Sequence, residues 1–320
     1  MNVLHRLLPP PRFLAMPAAG IDISDAFVRA ISFSGSLGSL HVDWWAEEPL
    51  PKGAVVGGAI SRREQLVSVL KKIQSARSIR FVRAALSEQQ AYVFETEAPT
   101  ALAEAHTAIG LHLEEQVPIR SNDSVFAIEP ILHRRNNTAL SRYVAVAAPR
   151  AASESYASAF RDAGLSLLSL ESAAETVARA VSPAKNDRPI LVINLSEDDA
   201  GLFIVCGRLA RFSTTIPLTA EETARDPGAL AREAARVCAF WEGEHGNVDG
   251  APRSAVACGA GAGDARTLAS LASVLHMPVE PALVWRHALS VEHAAPALPQ
   301  RDALRFASAI GLALGSFSYA

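Results

Sequence analysis

One short pattern occurs twice in this chain, and it limits the possible folds more than any other feature. Near the start, Ala19–Ile23 reads as a strand, Ser24-Asp25 as a tight polar turn and residues 27–33 as a second strand. Far downstream, Ile190–Leu195 reads as a strand, residues 196–199 as a polar turn, and residues 201–206 as a strand that passes through Gly207 into a third at 210–216. Each first strand ends in Asp/Asn-x-Ser, as Asp22-Ile23-Ser24 and Asn194-Leu195-Ser196. A recurring hairpin predicts two halves of like construction, each a sheet opened by a hairpin.

Helical spacing accompanies these strands. Leu66, Val69, Leu70 and Ile73 share one face of a segment at 62–76 that follows a strand carrying Trp44 and Trp45. Strands are expected at 79–86 and 91–95. After them an Ala-rich helix, the Val117-Pro118 break, strands near 125–132 and 143–148, and a helix at 153–163 stopping at Gly164 read as a small insertion. A helix at 172–181 leads to a polar break at 182–188, the best boundary in the sequence. In the second half, a helix near 229–241 puts Val237, Cys238 and Trp241 on one face, a strand at 255–258 meets Gly259-Ala260-Gly261-Ala262-Gly263, and a last helix near 303–314 can return to the first half. The expected divisions are a tail at 1–17, a first subdomain at 18–95, an insertion at 96–168, a return at 169–186, a second domain at 187–300 and a closing helix at 301–320.

Composition narrows the partners. With 320 residues, 49% of them hydrophobic, the chain can bury a core in about two domains. A net charge of -3 with mixed signs supplies no field for nucleic acid, so none is expected as a principal ligand. Cys206, Cys238 and Cys258 are too scattered for a disulfide framework or a CxxC metal site, which implies a reducing compartment. Residues 3–8 are interrupted by His5 and Arg6 and run into Pro9-Pro10-Pro11, and the apolar run at 306–314 is short. No direct membrane insertion is expected. Glu242-x-x-His245 has a metal-ligand spacing without the second copy a di-iron site needs, Arg134-Arg135-Asn136-Asn137 reads as a solvated turn, and no Ser/His/Asp set stands in a supporting motif.

A hairpin turn after Asp-x-Gly can hold a phosphate, because glycine lets backbone amides approach and the Asp holds Mg²⁺ or its waters. Two such turns facing one another, with a glycine-rich strand-to-helix turn, make a nucleotide cleft. Alone each piece is weak; the ordered series carries more. Gly20-Ile21-Asp22-Ile23 with Val28-Arg29, Leu50-Pro51-Lys52-Gly53-Ala54-Val55-Val56-Gly57-Gly58, Glu115-Gln116-Val117-Pro118, Arg161-Asp162-Ala163-Gly164-Leu165, Gly207-Arg208-Leu209 with Thr215-Ile216-Pro217-Leu218, and Gly311-Leu312-Ala313-Leu314 are collinear. In that order the series resembles the PilM branch of the FtsA/actin superfamily.

The resemblance implies an α/β, actin-like (ribonuclease H-like) two-domain fold with an inserted FtsA/PilM-type subdomain. It also implies a cofactor site: Asp22, Ser24 and Asp25 in the first loop, Asn194 and Ser196 in the second, Gly259 and Gly261 at the nucleoside turn, Glu233 toward ribose or adenine, and Asp22 toward magnesium. This chain departs from the pattern where phosphates would sit. Ser24 and Asp25 replace a glycine and a small hydroxyl residue, Asn194 and Ser196 replace Asp and Gly, and Glu197, Asp198 and Asp199 follow. A carboxylate ~5 Å from a phosphate charge costs ~3 kcal/mol at an effective dielectric near 20. The expected cofactor is therefore none, or weakly bound ATP with magnesium, and catalytic residues are not expected. The implied role is a cytoplasmic scaffold of type IV pilus assembly, peripheral at the inner membrane through partners. It would bind the tail of a PilN-like membrane protein between the first domain and its insertion, around residues 90–165 and 84–86, and link it to pilus motor components. An ATP-driven switch or ATPase, and a GspL-like component of type II secretion, are the alternatives.

Overall fold

The computed structural model describes residues 18–35, 40–131, 140–182, 188–285 and 298–317. The N-terminal tail, the 134–137 turn and residues 183–187 of the polar break lie outside the described residues. The first part of the chain runs β1 (Ala19–Ile23), β2 (Phe27–Ser34), β3 (His41–Pro49), a ribbon of β4 (Val55–Val56) and β5 (Ala59–Ile60), α1 (Arg63–Arg77) and β6 (Phe81–Leu86). It continues through β7 (Tyr92–Pro99), α2 (Leu102–Leu111), α3 (Leu113–Gln116), β8 (Ser124–Pro130), β9 (Leu140–Pro149), α4 (Arg150–Asp162), β10 (Ser166–Ser172) and α5 (Ala173–Val181). The second part comprises β11 (Ile190–Leu195), β12 (Ala200–Cys206), β13 (Leu209–Ile216), α6 (Ala220–Arg225), α7 (Pro227–His245), β14 (Ala255–Gly259), α8 (Ala265–Leu275), β15 (Val279–Pro281), α9 (Gln300–Ala303) and α10 (Ala307–Leu314).

The doubled hairpin becomes two five-stranded sheets of one topology. The first has the order β10-β6-β1-β2-β3 and the second β13-β12-β11-β14-β15. In both, the opening three strands form an antiparallel meander, and two later strands add in parallel beside the first. Parallel addition requires crossover helices, which α1 and α4 supply in the first lobe and α7 and α8 in the second. Their ends are set locally: Ser172 caps α5 by accepting from the Glu175 amide, Thr219 and Glu222 form a capping box on α6, and Asp264 caps α8 by accepting from the Thr267 amide.

Between β6 and β10 the chain makes a separate three-stranded antiparallel sheet of order β7-β9-β8, covered by α2 and α3, with a small core of Ala98, Ala105, Ile109, Tyr143 and Ala145. Helix α4, which falls inside the 96–168 division, instead buries Tyr156, Ala159 and Phe160 in the core of the first lobe. Within α1 the buried residues are Leu66, Val67, Leu70 and Ile73, and the expected Val69 packs partly buried against the same core. Trp44 packs on the first lobe's core and Trp45, on the opposite face of β3, on the cluster that fills the second lobe. That larger cluster also takes in Val177 and Ala178 of α5 and Ile310 and Ala313 of α10, so these two helices join the lobes behind the cleft.

Candidate functional site

The two hairpin turns face each other across the interlobe cleft, and they are built alike. Asp22 and Asn194 are each the penultimate residue of the first strand. The Ser24 amide bonds the Phe27 carbonyl at 2.9 Å, and the Ser196 amide bonds the Asp199 carbonyl at 3.0 Å. The Ser24 hydroxyl accepts from the amides of Ala26 (3.3 Å) and Phe27 (3.0 Å), and the Ser196 hydroxyl from those of Asp198 (3.3 Å) and Asp199 (3.0 Å). Serine thus consumes, in both turns, amides that a glycine would leave free for an anion.

The remaining groups are committed as well. The Gly57-Gly58 pair makes the two-residue turn between β4 and β5, where both φ angles are positive (57° and 73°), a conformation that favours glycine. Their amides point into the cleft as an anion-binding nest, and the Asp25 carboxylate fills it, accepting at 2.8 Å from Gly57 and 3.2 Å from Gly58. From the first lobe, buried Arg29 donates to Glu47 (2.7 Å) and reaches across to Glu197 of the second turn with both terminal nitrogens. Gln89 donates to Asp199 at 2.8 Å across the same gap. The sequence sets Glu197 and Asp199 out as bare repulsive charges; the fold pairs both with the opposite lobe.

What is left is a cavity of about 60 Å³ lined by Asp22, Asp25, Glu88, Asn194, Ser196 and their neighbours. Ligand pockets run from ~300 Å³ upward, so this space suits a water or two. Burial raises the Asp22 carboxyl, while Arg29 beside it and the Ser308 hydroxyl of α10 oppose that rise. The Asn194 amide oxygen accepts from the Cys258 thiol at 3.5 Å. Gly259, with φ 90°, and Gly261 stand on the end of β11: a Cβ on Gly259 would lie 2.2 Å from the Leu195 carbonyl oxygen. That close approach accounts for glycine at 259 without a ligand. Glu233 is not brought to the cleft. It pairs with Arg236 at 2.6 Å and lines a different cavity, of about 380 Å³, with Phe212, Ile216 and Phe240. Among the described residues no group of His, Cys, Asp and Glu is arranged to hold a metal ion.

Glu88, just after β6, is a cleft residue that sequence reasoning missed; its only signal is its place two residues past a strand end. Its Oε1 is buried without a hydrogen-bond partner among the described residues, and burial, reinforced by Asp199 and Asp22, lifts its carboxyl from an ordinary 4.5 to about 8. Between those values the folded protein holds a proton the unfolded chain lacks, so Glu88 lowers stability progressively as pH rises through that window. Thermal melts of Glu88→Gln against the parent are expected to show an advantage for glutamine that is small near pH 5, grows up to about pH 8 and levels off above. A pH-independent difference would contradict this placement.

A second concavity separates the first lobe from the inserted sheet. It encloses about 310 Å³ and is lined by Leu86, Ala91, Val125, Phe126, Ala127, Val146, Ala148 and Leu170, with Ser153, Glu171, Ser172 and Glu175. Strands β8 and β10, which contribute its walls, are edge strands of their respective sheets among the described residues. An unpaired edge presents backbone donors and acceptors to whatever lies alongside. The sequence placed attention on 84–86 and 90–165; β10 and the start of α5 complete the groove.

A sequence profile of the type IV pilus assembly protein PilM matches residues 20–208. The chain belongs to the PilM family. No curated protein sequence matches this PilM-family chain. Among solved structures it is similar to a PilM–PilN type IV pilus biogenesis complex, with a TM-score of 0.80 at 19% identity, covering 95% of this chain and 99% of that one. It is also similar to the ethanolamine utilization protein EutJ from Carboxydothermus hydrogenoformans (TM-score 0.51, 10% identity, 96% of this chain and 91% of that one). A Bacteroides thetaiotaomicron protein with an actin-like ATPase fold matches with a TM-score of 0.50 at 7% identity, over 85% of this chain and 93% of that one. The fold of this PilM-family chain is thus α/β and actin-like.

Proposed function

We propose that this chain is a scaffold of type IV pilus assembly that holds the extended cytoplasmic tail of a PilN-like inner-membrane protein in the groove between its first lobe and inserted sheet. The interlobe cleft serves as a structural joint and does not turn over ATP. The observation that carries this reading is the contrast between the two concavities. The cleft is spanned by its own side chains and retains about 60 Å³, whereas the groove offers about 310 Å³ of mostly apolar wall between two strand edges. Strand addition at such an edge is a general mode of peptide recognition: backbone bonds give affinity and alternate side chains give specificity. Family membership and the structural likeness to a PilM–PilN complex support the choice of partner. Among the described residues no helix is long and apolar enough to cross a membrane, so attachment to the inner membrane would run through that tail. The profile match favours the pilus over type II secretion.

Calorimetry tests the groove directly. A synthetic N-terminal tail of a PilN-like inner-membrane protein from the same organism is expected to bind the parent protein. Ala127→Trp, which fills the groove from an exposed position on β8, is expected to weaken binding at least tenfold, a loss of about 1.4 kcal/mol, with the melting temperature unchanged. Equal binding by parent and variant would place the tail elsewhere.

A further inference from the structure

We infer that the groove is selective for a tail carrying a lysine or arginine, held by Glu175 at one end of an otherwise apolar channel. This rests on the peptide-groove reading above and specifies the chemistry of its occupant. Three carboxylates gather there. Glu171 is already matched, accepting from Arg179 at 2.6 Å and from the Ser169 hydroxyl at 2.7 Å, with Arg83 at 3.5 Å. Arg179 is further engaged by the Gly311 carbonyl and crowded by Arg208. Glu175, on the first turn of α5, has no such partner: among the described residues it forms no ion pair, and its one side-chain bond is from the Ser172 hydroxyl at 3.3 Å. Its carboxyl is raised by burial first and by Glu171 next, against the opposing pull of Arg179, with Glu129 adding to the rise. Glu129 of β8 is exposed and outside the groove lining, and its charge adds to the negative surroundings of Glu175.

An acid held in this way gains from an incoming cation, since it relieves both its desolvation and the repulsion of its acidic neighbours. The other end of β8 is different in kind: Arg150 donates to the Ser124 carbonyl at 2.8 Å there. The two ends therefore differ in charge, which favours one direction for an extended guest. The chemistry also suits the source. Cytoplasmic segments flanking a membrane span carry an excess of Lys and Arg, so the tail of an inner-membrane protein supplies the required charge.

The test uses the full chain and two synthetic peptides, the N-terminal tail of that PilN-like protein and the same tail with each Arg replaced by citrulline and each Lys by norleucine. Calorimetry is expected to show the native tail binding about tenfold or more tighter than the neutral one. Glu175→Gln, which keeps the Ser172 bond, is expected to erase most of that preference. Binding of both peptides within twofold of each other, or an unaltered preference in Glu175→Gln, overturns the inference while the groove reading stands. Failure of both peptides to bind overturns the groove reading and this inference with it.

Discussion

Gly311→Val is expected to prevent stable folding, or to lower the melting temperature by more than about 6 °C, the consequence of a loss above ~4 kcal/mol. Gly311 lies inside α10, where glycine costs roughly 0.5–1 kcal/mol relative to alanine, so its presence needs a reason. The reason is backbone contact: a Cβ there would stand 1.7 Å from the Thr176 carbonyl oxygen and 2.6 Å from its carbon, both in α5. Gly20 repeats the device on β1, where a Cβ would stand 2.0 Å from the Ala309 carbonyl oxygen. Helix α10 is thus wedged between β1 and α5 at backbone distance, and no side chain can swing aside to make room. The wedge positions Ser308 beside Asp22 and Thr176, whose hydroxyl is 3.0 Å from that of Ser308, so packing and cleft geometry fail together. Gly243→Ala is the control: an exposed position within α7 with nothing within 4 Å of the new methyl, expected to stabilise by about 0.5–1 kcal/mol. Normal melting of Gly311→Val would mean that α10 sits differently.

Arg211→Met is expected to cost about 3–5 kcal/mol, because it removes one partner from a buried ionic cluster and leaves the others uncompensated. Arg211 of β13 is 3% exposed. It pairs with both oxygens of Glu95 on β7 and with Asp249 at 2.8 Å, while Arg142 of β9 holds Glu95 at 2.6 Å and Asp249 at 3.1 Å. His245, stacked on Trp241, stands 3.7 Å from Glu95, so the Glu242-x-x-His245 spacing serves a helix end beside this cluster. The cluster fastens the inserted sheet to the second lobe by its β7 edge, leaving the opposite edge, β8, to line the groove. Removing both arginines together with the acids, as Arg211→Met and Arg142→Met with Glu95→Gln and Asp249→Asn, is expected to recover much of the loss in a thermal melt.

The pH dependence has a definite sign. Burial pushes the Asp249 carboxyl up, but hydrogen bonds from Arg211 and Arg142 and their charges outweigh it and hold the group below the usual carboxylate range. A depressed carboxylate contributes stability that is present above its unfolded value and lost as the pH falls through its folded one. The gap between the parent and Arg211→Met is therefore expected to narrow on acidification below about pH 4. A gap that widens there would contradict the assignment.

The doubled hairpin was open to reading because it is local. Asp22 and Asn194 end their strands, the serines follow, and two sheets of one topology grow from them. Weakly patterned or long-range features were not open in this way. Strand β10 (SLLSLES) places serine at positions where a buried strand would carry aliphatics, so its alternation is faint, and β15 is only three residues long. Glu95, Arg142, Arg211 and Asp249 stand far apart in sequence and look like ordinary solvated charges until β7, β9 and β13 bring them together. The acidity of the second turn was legible, but not the arginine that answers it, since Arg29 meets Glu197 only across the cleft. Nor could spacing show that Asp25 fills the glycine nest. The replacement of the pattern's glycines was visible residue by residue; the pairing of the two turns across the cleft needed the fold.

The most direct measurement is a thermal melt of the full chain in three conditions: alone, with millimolar magnesium-ATP, and with the PilN-like tail peptide at a hundredfold excess over its dissociation constant. A ligand that binds only the folded state stabilises by about 2.7 kcal/mol at that excess, worth roughly 5 °C for a chain of this size. The peptide is expected to give that rise and magnesium-ATP none. A rise with magnesium-ATP and none with the peptide would make the cleft the working site and leave the groove without a role.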